Sequence, residues 1–152
     1  MARAYVGLGS NLGDRESTLR RALARLAAEP GVSVVAVSSF RETDPVGCVD
    51  QPRFVNAAVA LETQLEPPAL LGRLLAIERE LGRTRLGPRL GPRTIDLDLL
   101  LHDDRVTAGP DLELPHPRLH ERRFVLEPLA ELDPGLVVPG RGPVAALLSK
   151  LD

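Results

Sequence analysis

The residues with the most chemical potential lie in one stretch, Arg93-Thr94-Ile95-Asp96-Leu97-Asp98-Leu99-Leu100-Leu101. In a strand, residues two apart share a face, with Cα atoms roughly 6.5–7 Å apart. Asp96 and Asp98 then point one way, and Ile95, Leu97, Leu99 and Leu101 point the other. Two carboxylates on an apolar strand repel each other and resist burial. A divalent cation relieves both costs, and magnesium takes oxygen ligands with substrate phosphates completing its shell. The competing reading is a half-exposed strand face, because ten aspartates make one such spacing easy to reach by chance.

Arg83, Arg85, Arg89 and Arg93 precede this stretch, with no acidic residue between Glu80 and Asp96. Arginine forks match phosphate oxygens bidentately, although a basic loop standing alone is equally a solvated one. Leading directly into paired carboxylates, it suits polyphosphate chemistry, where arginine and magnesium together neutralise the transferring group. His116 is held between Pro115 and Pro117 and reads either as a phosphate-facing donor or as a surface histidine. His120 is four residues on, but no third ligand is nearby in sequence to make a structural zinc site. Arg122 and Arg123 follow. Asn56 shares a strand face with Ala58 and Ala60, while Val55, Val59 and Leu61 share the other. Its amide needs partners, supplied either by a turn or by a ligand with donor and acceptor edges.

The elements that must carry these residues follow from periodicity. Ala4 to Leu8 reads as a strand ending in Gly9-Ser10-Asn11-Leu12-Gly13. Asp14 to Ala28 reads as a helix, with Asp14 as cap, Leu19, Leu23 and Leu26 as its stripe, and Pro30-Gly31 as the stop. Val32 to Arg41 reads as a strand, Thr43 to Arg53 as a loop, and Phe54 to Thr63 as a second long strand. Pro67-Pro68 opens a helix striped by Leu70, Leu74, Ile77 and Leu81 and ended by Gly82. Arg83 to Arg93 is a loop, and Thr94 to Leu101 a strand. The chain is then irregular until Arg122 to Leu132, a helix that Pro128 must kink or restart. A last short helix covers Pro143 to Leu151. The order β-α-β-β-α-β is the ferredoxin-like split pattern, giving an α+β class: an antiparallel sheet in a layered α/β/α sandwich with a C-terminal extension.

Composition narrows the function. The chain has 152 residues, 43% hydrophobic and 26% charged, which fits one globular domain over 1–152. A net charge of −2 leaves no global basic footprint for nucleic acid. Tyr5, Phe40, Phe54 and Phe124 are the only aromatics, too few for an RNA-stacking sheet. One cysteine, Cys48, allows no disulfide framework and fits a reducing compartment. No signal peptide or membrane-length apolar run is read. The expectation is a cytoplasmic protein with no nucleic acid or membrane partner. Gly7-x-Gly9 with Gly13 is one residue too long for a dinucleotide fingerprint, and no glycine is followed by the lysine a P-loop requires.

Together these residues resemble the 6-hydroxymethyl-7,8-dihydropterin pyrophosphokinase family of folate biosynthesis. The resemblance is carried by Gly7-Leu8-Gly9-Ser10-Asn11-Leu12-Gly13, Asp50-Gln51-Pro52-Arg53-Phe54-Val55-Asn56-Ala57-Ala58, Gly91-Pro92-Arg93-Thr94-Ile95-Asp96-Leu97-Asp98, Pro115-His116-Pro117 and Arg122-Arg123-Phe124. It implies transfer of diphosphate from ATP to a pterin hydroxymethyl group, with release of AMP. It also implies that Asp96 and Asp98 hold two magnesium ions and, with Arg83 and Arg93, carry the catalysis. Glu78, Arg83, Arg85, Arg93, Leu99, His116 and Arg122 are then the ATP-binding set. Thr43, Val46, Phe54, Asn56 and Phe124 are the pterin-binding set. Leu90, Phe54 and Pro117 stand where better-known members carry a tryptophan, a tyrosine and an aromatic. A monomer is expected, and Arg83 to Pro92 is expected to act as a lid that is mobile when empty and closes on ATP. The competing classes are a non-catalytic small-molecule-sensing domain, which needs no D-x-D, and an RNA-binding domain, which needs sheet aromatics.

Overall fold

Alternating side chains make the first strand, β1 (Ala2–Ser10), two-faced: Ala4, Val6 and Leu8 enter one core and Tyr5 another. The computed structural model describes residues 1–11, 13–44, 53–82 and 95–152. β1 lies between β4 (Phe54–Thr63) and β5 (Asp96–His102), and β2 (Val32–Val37) pairs with the far side of β4. The order is β2-β4-β1-β5, with every neighbouring pair antiparallel, and β3 (Arg41–Thr43) pairs with the start of β4.

α1 (Arg15–Ala27) and α2 (Pro67–Glu80) cover one face. Their stripes of Leu19, Ala22 and Leu26, and of Leu70, Leu74 and Ile77, pack on Val6, Leu8, Val59 and Leu97. Burying one such leucine contributes about 1.5–3 kcal/mol, so the stripes suffice to dock both helices. α3 (Arg123–Leu132) and α4 (Val144–Ser149) cover the other face through Leu126, Leu129, Val144 and Leu147. The result is a three-layer α/β molecule around an antiparallel sheet.

Several local expectations change. The strand expected over Val32 to Arg41 is two strands. β2 shifts register between Val34 and Ala36 but stays paired with β4 through Val37, and Ser38 then accepts the Ala58 N–H on its hydroxyl, ending the β2 ladder. Thr43 closes β3 rather than opening a loop. Leu101 joins Tyr5 in the α3/α4 core instead of sharing a face with Ile95, Leu97 and Leu99. The β1–β5 register shifts between Tyr5 and Val6, so one extra β5 residue reverses the alternation. Residues 103–122 carry a short ladder between β6 (Thr107–Ala108) and β7 (Glu113–Leu114), then a 3-10 turn at Leu119–Glu121. Pro128 lies inside a continuous α3. Its missing N–H costs only the bond to the Phe124 carbonyl near the helix start, and its ring is buried. β8 (Val137–Val138) and β9 (Gly142–Pro143) form a last hairpin before α4.

Glu29 joins α1 to α2. Its side chain is 4% exposed and accepts hydrogen bonds from Arg25 and Arg73. Those bonds, chiefly that from Arg73, hold its carboxyl below the ordinary value. Because the folded form is the stronger acid, the stabilisation is complete above the unfolded value of about 4.3 and is lost as pH falls through the lower folded value. Glu29→Ala should cost about 1–3 kcal/mol at pH 7, since charged hydrogen bonds are lost while both arginines can rehydrate. The cost should shrink below pH 4. Urea melts at pH 7 and pH 3.5 check this, and an equal cost at both would refute it.

Candidate active site

Strand register places the chemistry-bearing residues in rows. Asp96 lies opposite Gly9, Gly9 opposite Asn56, and Asn56 opposite Arg41. One step along, Asp98 lies opposite Gly7, and Gly7 opposite Ala58. Paired residues share a face, and here it is the face covered further along by α3 and α4. Asp96 is two strands from Asn56, about 10 Å at ordinary strand spacing. Gly7, Gly9 and Ala58 lie between the carboxylates and the amide in these rows, with the Leu100 side chain packed over Gly7, so the sheet leaves a shallow, partly covered floor there. The floor is tight at one point: a Cβ on Gly9 would stand 2.8 Å from Asn56 Oδ1 and 3.7 Å from the Phe54 ring.

Asn56 is buried, and its Nδ2 donates to Thr43 Oγ1 across the β3–β4 pair. Thr43 is in turn opposite Phe54, whose ring is half-buried. Arg15 pins this corner by donating to the Arg53 carbonyl at 2.7 Å and to Glu42 at 3.1 Å. Phe124 stands in the first turn of α3, with the Arg122 guanidinium 5.6 Å from its ring centroid.

His116 is drawn to the other end of the row because its backbone N–H donates to the Leu100 carbonyl at 3.0 Å. Its ring Nδ1 accepts the Arg118 N–H at 3.4 Å. Burial first, then the positive charge of Arg122, pushes the imidazole down to about 4, against the opposing pull of Asp96. Arg122, Asp96 and His116 therefore share one electrostatic neighbourhood, and the ring is neutral at pH 7. The His116 ring resonances should titrate with a midpoint near 4 in the ligand-free protein. A midpoint at or above 6 in an NMR pH series would show the ring to be solvated and apart from this cluster.

Glu78 is buried on α2, and its Oε2 accepts the Leu97 N–H at 2.7 Å. It thus satisfies a donor on the edge strand β5 between Asp96 and Asp98. Leu99 turns its side chain into the α1/α2 core. Val46, Arg83, Arg85 and Arg93, with the expected lid from Arg83 to Pro92, lie outside the described residues. Of the expected set, the fold gathers Thr43, Phe54 and Asn56 at one end of the rows. It sets Asp96, Asp98, His116 and Arg122 at the other.

Gly7 and Gly9 enter the sequence reading as a failed dinucleotide motif and as part of the N-terminal strand and turn that carries the family resemblance, not as site residues. Their usable signal was a two-residue period matching that of Asp96 and Asp98. Asp96 and Asp98 offer oxygen donors alone, half-buried on one face. Among the described residues no third histidine, cysteine, aspartate or glutamate completes a metal cluster with them. That donor set fits magnesium, which is held by one or two carboxylates and substrate phosphates rather than by a protein cage.

Residues 5–134 match the family described as 7,8-dihydro-6-hydroxymethylpterin-pyrophosphokinase. The chain belongs to that family. A 2-amino-4-hydroxy-6-hydroxymethyldihydropteridine pyrophosphokinase of Methylorubrum extorquens is 49% identical over 152 residues, covering 100% of this chain and 95% of the relative. The Bacillus subtilis protein of the same name is 54% identical over 129 residues, 85% of this chain and 77% of its own length. A Plasmodium falciparum HPPK-DHPS chain, solved with pterin and p-hydroxybenzoate, superposes with a TM-score of 0.75 at 15% identity. That likeness covers 98% of this chain and 43% of the other, so this pyrophosphokinase-family chain spans less than half of that longer protein. Among the described residues no helix is long and apolar enough to cross a membrane.

Proposed function

We infer that this chain transfers diphosphate from ATP to the hydroxymethyl group of 6-hydroxymethyl-7,8-dihydropterin in folate biosynthesis. The observation that carries the reading is the row Asp96–Gly9–Asn56 in a chain of this family. A carboxylate suited to a metal–phosphate complex and an amide suited to a heterocycle edge share one face, separated by a residue without a side chain. The hydroxymethyl oxygen attacks the β-phosphorus, the bond from that phosphorus to the α,β-bridging oxygen breaks, and AMP leaves with the bridging oxygen. The hydroxyl proton passes to solvent. Positioning and charge neutralisation carry most of such a reaction, and no strong general base is required.

Asn56 and Thr43 orient the pterin edge, with Phe54 and Phe124 against its ring and the Val46 backbone as a further polar contact. Arg122 meets the triphosphate, and neutral His116 offers it an N–H without adding charge. Arg83, Arg85 and Arg93 are assigned to the phosphates, with Arg83 and Arg93 the catalytic pair. Glu78 and Leu99 belong to the nucleotide side. Asp96 and Asp98 would hold two magnesium ions, which when bound neutralise the phosphates and lower the pKa of the attacking hydroxyl. The strand order supports a ferredoxin-like core of two split β-α-β units. We read the protein as a cytoplasmic monomer acting on two small molecules.

The test is AMP release from ATP, magnesium and the hydroxymethyl dihydropterin. AMP and pterin diphosphate should form in equal amounts. ADP as product, or AMP formation indifferent to the pterin, would overturn the reading.

A further inference from the structure

The two walls of the pterin end come from elements far apart in sequence. Thr43 comes from β3, and Phe124 from the first turn of α3. Thr43 is tied to Phe54 of β4 and α3 packs on that same strand, but the β2–β3 connection beside them has no strand pairing of its own, which leaves a gap in the ladder at Ser39. One carboxylate bridges that gap. Glu131, two turns along α3 from Phe124, accepts the Ser39 N–H at 2.7 Å on Oε2 and the Ser39 hydroxyl at 2.7 Å on Oε1. Oε1 also accepts from Arg41 Nη2 at 2.9 Å. Arg41 itself is the register partner of Asn56 and lies 3.8 Å from Glu127, one turn earlier on α3. Three hydrogen bonds and one longer ion pair therefore converge from the β2–β3 connection and β3 onto a single helix face.

We propose that Glu131 is a positioning residue for the pterin pocket: it fastens Ser39 and Arg41 to α3 and thereby sets Thr43 and Asn56 against Phe124. This rests on the pterin reading above. It adds that Glu131, Ser39 and Arg41 tune affinity for the pterin without touching it. The geometry favours this over a plain structural brace. Two of the bonds go to the segment that carries no ladder pairing, and the third goes to the residue paired with Asn56. The surface ion pair Arg105–Glu66, by contrast, ties down no site residue.

The test is steady-state kinetics on the full chain with Glu131→Ala, Glu131→Gln and Arg41→Ala, alongside their melting temperatures. Glu131→Ala should raise KM for the pterin about tenfold while KM for ATP stays within about twofold, because misplacing one wall weakens one substrate. Glu131→Gln keeps an acceptor for Ser39 and should rescue most of that loss. Arg41→Ala keeps both Ser39 bonds, so it should raise pterin KM by about threefold even if Glu131→Ala folds poorly. An unchanged pterin KM in folded Glu131→Ala, or equal rises in both KM values, would overturn the proposal and leave the enzyme reading intact. A wild-type chain that makes no AMP from ATP and the pterin would overturn both.

Discussion

Asp96→Ala and Asp98→Ala should each cut AMP formation by about a thousandfold or more, the scale of losing an electrostatic stabiliser of a transferring phosphoryl group. The argument is geometric. The two carboxylates share one face of an edge strand, each opposite a glycine, with no third protein ligand among the described residues to stand in for either. The fold should tolerate their loss. Both are half-buried rather than core residues, and removing one relieves like-charge repulsion along the strand. Melting temperatures within a few degrees of wild type are expected, since no core volume is lost. Activity near wild type in magnesium for either variant would remove that residue from the metal assignment. Comparable loss of activity and fold would make it a structural residue.

Asn56→Ala should weaken pterin binding by about 1–3 kcal/mol, or roughly five- to 150-fold, with little change for ATP. Asn56 is buried and held by Thr43, so its amide is oriented before any ligand arrives. Preorganisation of that kind makes its removal costly. Gly9→Ala offers an independent check, because the added Cβ would stand 2.8 Å from Asn56 Oδ1 and must displace the amide or the strand. It should therefore reproduce the pterin defect without altering the polar groups. Titration of 6-hydroxymethylpterin against each variant, with and without an ATP analogue, distinguishes the outcomes. Unchanged pterin affinity in Asn56→Ala would move the pocket elsewhere.

The sequence by itself determined the parts of this protein that depend on local periodicity and short motifs. Helix stripes repeat every three or four residues, and proline, glycine and aspartate mark helix ends, so α1 and α2 were legible almost to the residue. The long strand Phe54–Thr63 was legible for the same reason, and so was the shared face of Asp96 and Asp98, because a pleat has a fixed period of two. The residues of the site were nameable because their types suit phosphate and heterocycle chemistry. Only the tertiary structure decided what a period cannot encode. The extra residue in β5 that sends Leu101 to the opposite core depends on cross-strand register. So does the row that sets Asn56, Gly9 and Asp96 side by side, which requires three strands to align at once. His116 and Arg122 reach that row only because the chain beyond β5 folds back onto the Leu100 carbonyl. Glu131 looked like any charged position on an amphipathic helix, and its bonds to Ser39 and Arg41 exist only because α3 docks there. Pairings across ninety residues are set by the free energy of packing the whole chain, and no local pattern carries that information.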